Sequence, residues 1–172
     1  MGGTVAAIRY AFRDDRMDLR LLLVGAVLSD LIDTPIGLVA YSTFGGVRLM
    51  SHSLVFGALL MTVVVVITRR GRPRKRWMPL VIGVLMHLFL DAMWAEPETL
   101  WWPFLGWDFA PSTLGSAGAL VRSVLSDWRV WLLEGIGLAY LISLAHRGNL
   151  ISREERVRFA KTGRIAVPIE RR

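Results

Sequence analysis

Four long apolar stretches dominate this sequence and limit what it can fold into. They cover approximately residues 19–41, 53–68, 77–95 and 128–145. The second contains the run L-L-M-T-V-V-V-V-I and shows no polar face, whereas a helix of a soluble bundle exposes polar residues at every turn. A helix needs about 20 residues, and at least ~17, to cross ~30 Å of hydrocarbon. We therefore expect an all-α fold, an integral membrane bundle of four transmembrane helices.

The positive charges indicate how this bundle is oriented. Of the 21 Lys and Arg residues, 18 lie in the N-terminal segment up to Arg20, in the connection 69–76 or in the tail from Arg147. Because Lys and Arg accumulate on the cytoplasmic side of a membrane protein, both termini are predicted to be cytoplasmic. The net charge of +7 is then a sign of topology, and no nucleic-acid partner is expected.

The same pattern divides the chain into three parts. Residues 1–18 are predicted to form a cytoplasmic basic segment, residues 19–146 the transmembrane domain, and residues 147–172 a cytoplasmic basic tail that is helical from about Ser152. No cleavable signal peptide is expected, because charged residues and no apolar run precede the first stretch. The absence of cysteine excludes disulfides and thiolate metal sites. The lipid bilayer is the expected partner.

The long connection of residues 96–127 is predicted to lie on the outer side. Apolar residues at helical spacing, including Val121 and Leu125, predict a short interfacial helix from about Leu114, capped by Ser112 or Thr113. Six of the seven tryptophans lie in this connection or at the neighbouring ends of the third and fourth stretches. Such rings favour the headgroup region, so we expect most of them to anchor the protein there.

Five ionisable residues interrupt the apolar stretches: Asp30, Asp33, His87, Asp91 and Glu134. A charge at mid-bilayer costs about 2.5–3.5 kcal/mol, so such residues usually face the protein interior and serve a function. The two aspartates of the first stretch are three residues apart, and His87 and Asp91 are four apart, so each pair shares one helix face. No Lys or Arg lies well inside any stretch, and only Arg48 and Arg129, near the outer boundary, could pair with them, so protons or a bound cation must compensate.

These residues form a candidate metal site together with His52, which lies beside the start of the second stretch. At a rise of 1.5 Å per residue, they fall at mid-depth or in the outer half of the membrane. Pro35 is expected to kink or end the first helix just after Asp33, which opens room for a site. Imidazole and carboxylate ligands suit Zn²⁺, Mn²⁺ or Fe²⁺. A proton or cation pathway and simple packing are the alternatives.

Four short motifs occur in an order and spacing that are similar to a known family. They are G-A-V-L-S-D-L-I-D-T-P from Gly25, S-H-S from Ser51, H-L-F-L-D from His87 and L-W-W-P-F-L-G-W from Leu100. With them the sequence resembles the membrane-bound metal-dependent hydrolases, a family of small prokaryotic inner-membrane proteins remotely similar to zinc-dependent phospholipases. The resemblance covers about half of the chain.

This resemblance implies a multi-pass protein of the cell inner membrane that binds a divalent metal, zinc first, through five residues: Asp30, Asp33, His52, His87 and Asp91. The sequence departs from the family pattern at two positions. Ser29 stands where many members have proline before the first aspartate. Val47 stands where many have a further histidine, so the site is expected to be mononuclear or altered.

The leading functional hypothesis is hydrolysis of an ester or phosphoester, of a lipid or another amphiphile, at the outer leaflet. A metal ion would activate water and polarise the scissile group. Asp33 or Glu134 would act as the catalytic proton acceptor. Asp33 is equally acceptable as a ligand, and Glu134 equally as an ion-pair partner of Arg129.

Two alternatives come from other functional classes. A proton or cation transporter would use the same acids, but it needs polar residues that continue to the cytoplasmic side. The inner halves of the four stretches are almost wholly apolar, which favours a one-sided pocket. A non-catalytic membrane protein with a structural metal site is the other alternative.

Overall fold

The computed structural model describes residues 2–12, 17–112 and 114–165. Within these ranges all regular structure is helical and no strand occurs, which confirms the all-α prediction. The predicted cap at Thr113 lies outside the described residues. So do four of the basic residues used to predict the orientation: Arg13, Arg16, Arg171 and Arg172.

The described ranges contain nine α-helices and two single turns of 3₁₀-helix. The α-helices are α1 (Gly2–Phe12), α2 (Leu19–Val39), α3 (Tyr41–Phe44), α4 (Leu54–Ile67), α5 (Arg72–Leu90), α6 (Pro97–Leu100), α7 (Ala117–Ser126), α8 (Trp128–Arg147) and α9 (Arg153–Thr162). The 3₁₀ turns are Met50–His52, directly before α4, and Met93–Ala95, shortly after α5.

Each apolar stretch forms a helix, but the helices differ in length. Among the described residues, α2 and α8 are the two helices that are long and apolar enough to cross a membrane. Helix α4 has 14 residues, or about 21 Å at 1.5 Å per residue. Helix α5 has 19 residues but begins with the charged run R-P-R-K-R. By length and composition the structure therefore supplies two candidate spans, fewer than the four predicted.

Helix α2 does not end at Pro35, contrary to one of the two outcomes expected for this proline. It continues to Val39, and the amide of Ala40 still donates to the carbonyl oxygen of Ile36 at 2.9 Å. Proline removes one backbone donor, but the residues that follow it can keep the helical hydrogen-bond pattern. All acidic residues of the first stretch therefore lie on one helix.

Helices α2 and α5 form the most extensively packed pair and touch through glycine. A Cβ atom at Gly25 would collide with the carbonyl oxygen of Leu80, and one at Gly83 with that of Leu22. Small residues allow two helix backbones to approach this closely, which is a common way to pack helices inside membranes. The pair therefore has its closest contact a little more than one helical turn before Asp30 and His87.

Helix α1 packs into the bundle, although it belongs to the segment predicted to be basic and cytoplasmic. Val5 and Ile8 are fully buried and pack with leucines of α2 and α8. The backbone of Gly2 lies so close to Gly137 of α8 that a Cβ would collide with the carbonyl group there. Helix α1 thus contributes an apolar face to the core, and the cytoplasmic location of residues 1–18 stays a prediction.

The C-terminal tail also packs against the bundle. Ser152 caps α9, as the predicted helix start requires, because its Oγ accepts a hydrogen bond from the amide of Glu155 at 3.2 Å. After α9 the chain returns to the start of α2, where the amide of Leu19 donates to the carbonyl oxygen of Gly163 at 2.8 Å. Ile165 joins the same core as α1. The described part of the tail is therefore held at the start of α2.

The outer connection contains the predicted short helix, α7, but it begins later than expected. Its cap is Ser116, whose Oγ accepts from the amide of Ala119 at 3.2 Å. Ser112 instead accepts from the amide of Leu114 in the preceding loop. The prediction of a cap at Ser112 was wrong, because Ser116 has the extended backbone that an N-cap requires and lies closer to the apolar helix face.

Asp18 holds the start of α2 through an ion pair. Its Oδ2 lies 2.8 Å from Nη2 of Arg20 and 3.8 Å from Nε of Arg76 at the beginning of α5. Burial raises the pKa of Asp18, but the hydrogen bond and the charge of Arg20 outweigh burial, so the pKa lies below its ordinary value.

We expect Gly25→Ala to destabilise the protein by about 1–3 kcal/mol, because the new methyl group meets the backbone of α5, which cannot rotate away. Gly135→Ala in α8 is the matched control, since a Cβ there meets nothing within 4 Å. Detergent unfolding followed by circular dichroism measures both. Equal stability of Gly25→Ala and wild type would contradict the close packing of α2 and α5.

We expect Asp18→Asn to lower the thermal unfolding midpoint at neutral pH but not in acid. A carboxylate whose pKa is depressed by folding contributes stability above its unfolded pKa of about 3.9 and loses it as pH falls through the folded pKa. The difference between the midpoints of wild type and variant should therefore begin to shrink below about pH 4 and disappear only below the folded pKa of Asp18. Asp108→Asn, at an exposed position, is the control. A difference that persists unchanged in acid would rule out this linkage.

Candidate metal centre

Four side chains that can ligate a metal meet where α2, α5 and the turn before α4 come together. Asp30 lies on α2, His52 ends the 3₁₀ turn, His87 lies in the last turn of α5, and Asp91 caps the end of that helix. One possible ligand atom from each lies within 4.8 Å of the others. The structure thus brings four of the five predicted ligands into one group, which we call the four-residue group.

Asp30 lies between the two imidazoles. Its Oδ1 is 3.3 Å from Nε2 of His52 and 3.5 Å from Nε2 of His87. The ring centroids are 5.4 Å apart, and Nδ1 of His87 lies 3.9 Å from Oδ1 of Asp91. Both histidines are buried, whereas the Asp30 side chain is 51% exposed. The nitrogen atoms therefore form the closed side of the group, and the carboxylates form its open side.

The two Nε2 atoms have no hydrogen-bond partner, although both are buried. Their contacts with Asp30 are short but lack hydrogen-bond geometry. A buried polar atom without a partner costs about 1–3 kcal/mol, so two neighbouring ones need an explanation. A divalent cation that accepts both lone pairs would supply it. Two imidazoles with two carboxylates are a ligand set that suits zinc and related divalent ions.

Asp33 lies behind His52 and outside the four-residue group. It is fully buried, and its Oδ2 accepts from the amides of Leu49, Ser51 and His52 at 2.8, 3.0 and 3.2 Å. Nδ1 of His52 also donates to this oxygen at 2.8 Å. The Nε2 lone pair then points toward Asp30. A carboxylate that orients a histidine in this way is typical of residues that support metal ligands.

Two serines fasten the 3₁₀ turn to α2. The Ser29 hydroxyl donates to the carbonyl oxygen of Ser51 at 2.9 Å, and the Ser51 hydroxyl donates to that of Ser29 at 3.0 Å. Both residues are fully buried. Sequence reasoning noted Ser29 only as a departure from the family pattern and missed this role of Ser51. The available signal was a pair of small hydroxyl residues directly beside Asp30 and His52.

The structure does not bring Glu134 into the four-residue group. This residue is exposed on α8, which packs mainly against α1. Its predicted role as a proton acceptor is not supported by this position, and its predicted ion pair with Arg129 stays a prediction. The guanidinium group of Arg129 lies over the ring of Trp128, 6.0 Å from its centroid.

Arg48 joins the open side of the site. Its Nη1 lies 2.6 Å from Oε1 of Glu96, and its Nη2 lies 3.4 Å from Oδ2 of Asp91. The sequence placed this arginine near the outer boundary, and the structure shows that it neutralises part of the acidic charge there. Its two carboxylate partners, Asp91 and Glu96, lie at opposite ends of a short loop. Their sequence positions did not indicate that both would contact Arg48.

A cavity of about 580 Å³ opens beside the four-residue group. Asp30 and Asp91 face it from the group, and Arg48 and Glu96 lie at the same end. The rest of the wall is formed by α2, by the segment just before Arg48, by the loop before α7 and by α7 itself. A space of this size lies within the usual range for small-molecule sites, and two of the candidate ligands, Asp30 and Asp91, face it.

Comparison with family models decides the identity of the chain. Residues 1–150 match the model of the YdjM inner membrane protein. The chain belongs to this family. It is therefore an inner-membrane protein, and the match covers α1 and α8 as well as the segment that carries the four motifs. Searches of curated proteins and of solved structures found no match.

We expect Asp33→Asn to affect the stability of the metal-free protein, and Asp30→Asn to affect the additional stability that zinc provides. In chelator-treated protein, Asp33→Asn should lower the free energy of unfolding by roughly 3 kcal/mol, because the three amides lose a charged hydrogen-bond acceptor and keep at best a neutral one. Asp30→Asn should leave that value almost unchanged but remove most of the stabilisation by added Zn²⁺. Unfolding with and without zinc measures both. Wild-type stability of metal-free Asp33→Asn would contradict the anchoring role.

Proposed function

We propose that this protein is a membrane-embedded, metal-dependent hydrolase that cleaves an ester or phosphoester at the outer leaflet. The observation that carries the proposal is the pair of buried, unpartnered Nε2 atoms of His52 and His87 that face Asp30 beside an open cavity. A metal held there has an open side toward the cavity, which distinguishes a catalytic metal site from a closed structural one.

The proposed topology has four crossing helices, α2, α4, α5 and α8, with both termini in the cytoplasm. Its support is the relative direction of the helices. Gly25 meets Leu80 and Asp30 meets His87, so α2 and α5 run parallel. Gly57, near the start of α4, meets Leu85 near the end of α5, so α4 runs in the opposite direction. Alternating crossings produce this arrangement.

The basic segments support the proposed orientation as well. Arg76, from the connection between α4 and α5, lies 3.8 Å from Asp18 at the start of α2. The tail reaches the same place through the hydrogen bond between Leu19 and Gly163. Three segments rich in Lys and Arg therefore meet at one end of the bundle, as the positive-inside rule requires for a cytoplasmic face.

In the proposed site each residue has a defined task. His52 and His87 contribute Nε2, and Asp30 and Asp91 contribute carboxylate oxygens, to one ion, with Zn²⁺ the first choice and Mn²⁺ or Fe²⁺ also compatible. The bound ion would lower the pKa of water toward 7 and polarise the scissile group. Asp33 keeps His52 in the orientation that its ligand role needs.

The proton acceptor must face the cavity. The oxygens of Asp33 are occupied by donors on the closed side, and Glu134 is not among the residues that line the cavity. Glu96 does line it and lies outside the four-residue group. We therefore assign proton acceptance to Glu96, whose carboxylate is held at the cavity by Arg48.

The packing below the site argues against the transporter alternative. Leu22, Val81 and Val84 are at most 1% exposed and fill the contact between α2 and α5 on the cytoplasmic side of the four-residue group. At Gly25 the backbones of the two helices are in direct contact. This supports a pocket that opens on one side only.

Metal analysis of the purified protein tests the proposal. We expect about one equivalent of metal in wild type and substantial loss in His87→Ala, because one of the four proposed ligands is removed. His146→Ala is the matched control, since this exposed histidine of α8 is outside the four-residue group. Elemental analysis gives the metal content, and hydrolysis of aryl ester and aryl phosphodiester substrates gives the activity.

Three results would contradict the proposal in different ways. Wild type without stoichiometric metal would remove its basis. Metal-loaded protein that cleaves none of the substrates would favour the structural-metal alternative. Cation flux in proteoliposomes that disappears in Asp30→Asn would favour the transporter.

A further inference from the structure

The cavity beside the four-residue group has two chemically different ends. One end is polar and contains Arg48 together with three carboxylates: Asp30, Asp91 and Glu96. The part of the wall that α7 contributes is apolar and consists of Leu120, Val121, Val124 and Leu125. A cavity with this division fits a ligand that is itself divided into a charged and an apolar part.

Arg48 determines the charge that the polar end accepts. Its side chain is 40% exposed, and the guanidinium group has five N–H donors, of which its two ion pairs use only Nη1 and Nη2. A divalent ion at Asp30 and Asp91 would neutralise the two candidate ligands, and Glu96 would balance Arg48. An anionic group can then approach both the metal and the guanidinium, which is well suited to phosphate oxygens.

The wall on α7 is apolar without being covered. Val121, Val124 and Leu125 line the cavity and are 42%, 48% and 59% exposed. Their spacing of three and four residues places them on one face of the helix. Within the described residues α7 has no buried side chain, so this face is not part of the protein core. A hydrocarbon chain against it would remove apolar surface from water.

We propose that the cavity binds a phosphate-bearing membrane amphiphile, with the anionic head between the four-residue group and Arg48 and one hydrocarbon chain along α7. This inference rests on the proposed function, because the position of the head requires the metal. Free phosphate would leave the α7 wall unused. A cationic amphiphile would find no unpaired carboxylate, because the metal and Arg48 balance the three acids.

Calorimetric titration of the zinc-loaded protein in a non-ionic, phosphate-free detergent tests the ligand class, because phospholipid would itself compete for the cavity. The probes are hexylphosphonate, methylphosphonate and hexylammonium, which are soluble and cannot be hydrolysed at the head. We expect hexylphosphonate to bind at least tenfold more tightly than methylphosphonate, because burial of each CH₂ contributes about 0.8 kcal/mol. Hexylammonium should bind more weakly than hexylphosphonate.

Variants separate the two ends of the cavity. Arg48→Gln should weaken both phosphonates about tenfold, since a charged hydrogen-bond donor is lost. Val124→Ser should weaken hexylphosphonate roughly fivefold but leave methylphosphonate unchanged. Ala119→Ser is the matched control, because Ala119 lies on α7 but not at the cavity. Zinc content is measured for each protein, so that loss of metal is not mistaken for loss of the ligand.

The outcomes distinguish this inference from the proposed function. Normal zinc content with equal affinity for the two phosphonates, or with tighter binding of hexylammonium, would overturn the inference and leave the hydrolase proposal standing. Equal effects of Val124→Ser and Ala119→Ser would overturn the assignment of the α7 wall. Wild type without zinc would overturn the proposed function, and the inference with it.

Discussion

The contact between α2 and α5 is the constraint on which the rest of the structure depends. Gly25 and Gly83 let the two backbones touch, and no side chain can be inserted between them. Asp30 and His87 follow these glycines by five and four residues, so the close approach fixes how far apart the two side chains can be. A bulkier contact would separate the helices and also the candidate ligands. The packing of α2 against α5 therefore also sets the geometry of the candidate site.

The turn that carries His52 depends on α2 in a different way. Asp33 accepts hydrogen bonds from backbone amides of the turn, and the hydroxyl groups of Ser29 and Ser51 each donate to the carbonyl oxygen of the other residue. A segment without regular hydrogen bonding can exist at membrane depth only when its polar groups are satisfied inside the protein. Asp33 accepts hydrogen bonds from the backbone of the turn and also from Nδ1 of His52. The same carboxylate therefore satisfies the irregular backbone and fixes the orientation of this candidate ligand.

Much of the fold and part of the site could be predicted from the sequence. Apolar stretches of helical length predicted the four main helices, and depth along them predicted that Asp30, His87 and Asp91 would meet. The spacing of Asp30 and Asp33 placed both on one helix face. It did not show that Asp30 would lie between the two histidines while Asp33 binds the backbone of the turn, because the turn has no periodic sequence pattern. Arg48 was not assigned to Asp91 and Glu96 because a loop of irregular backbone brings them together.

The packing of α1 was also beyond sequence reasoning, since its charged residues resemble those of an ordinary cytoplasmic segment. Val5 and Ile8 are buried against Leu144 and Ile165, which lie more than 130 residues later in the chain. This has a consequence for biosynthesis. A ribosome releases α1 long before α8 and the tail exist, so the part of its apolar face that packs on them stays exposed, or is held by lipid, until the last helices are in place. The first helix of the chain is then among the last to be completely packed.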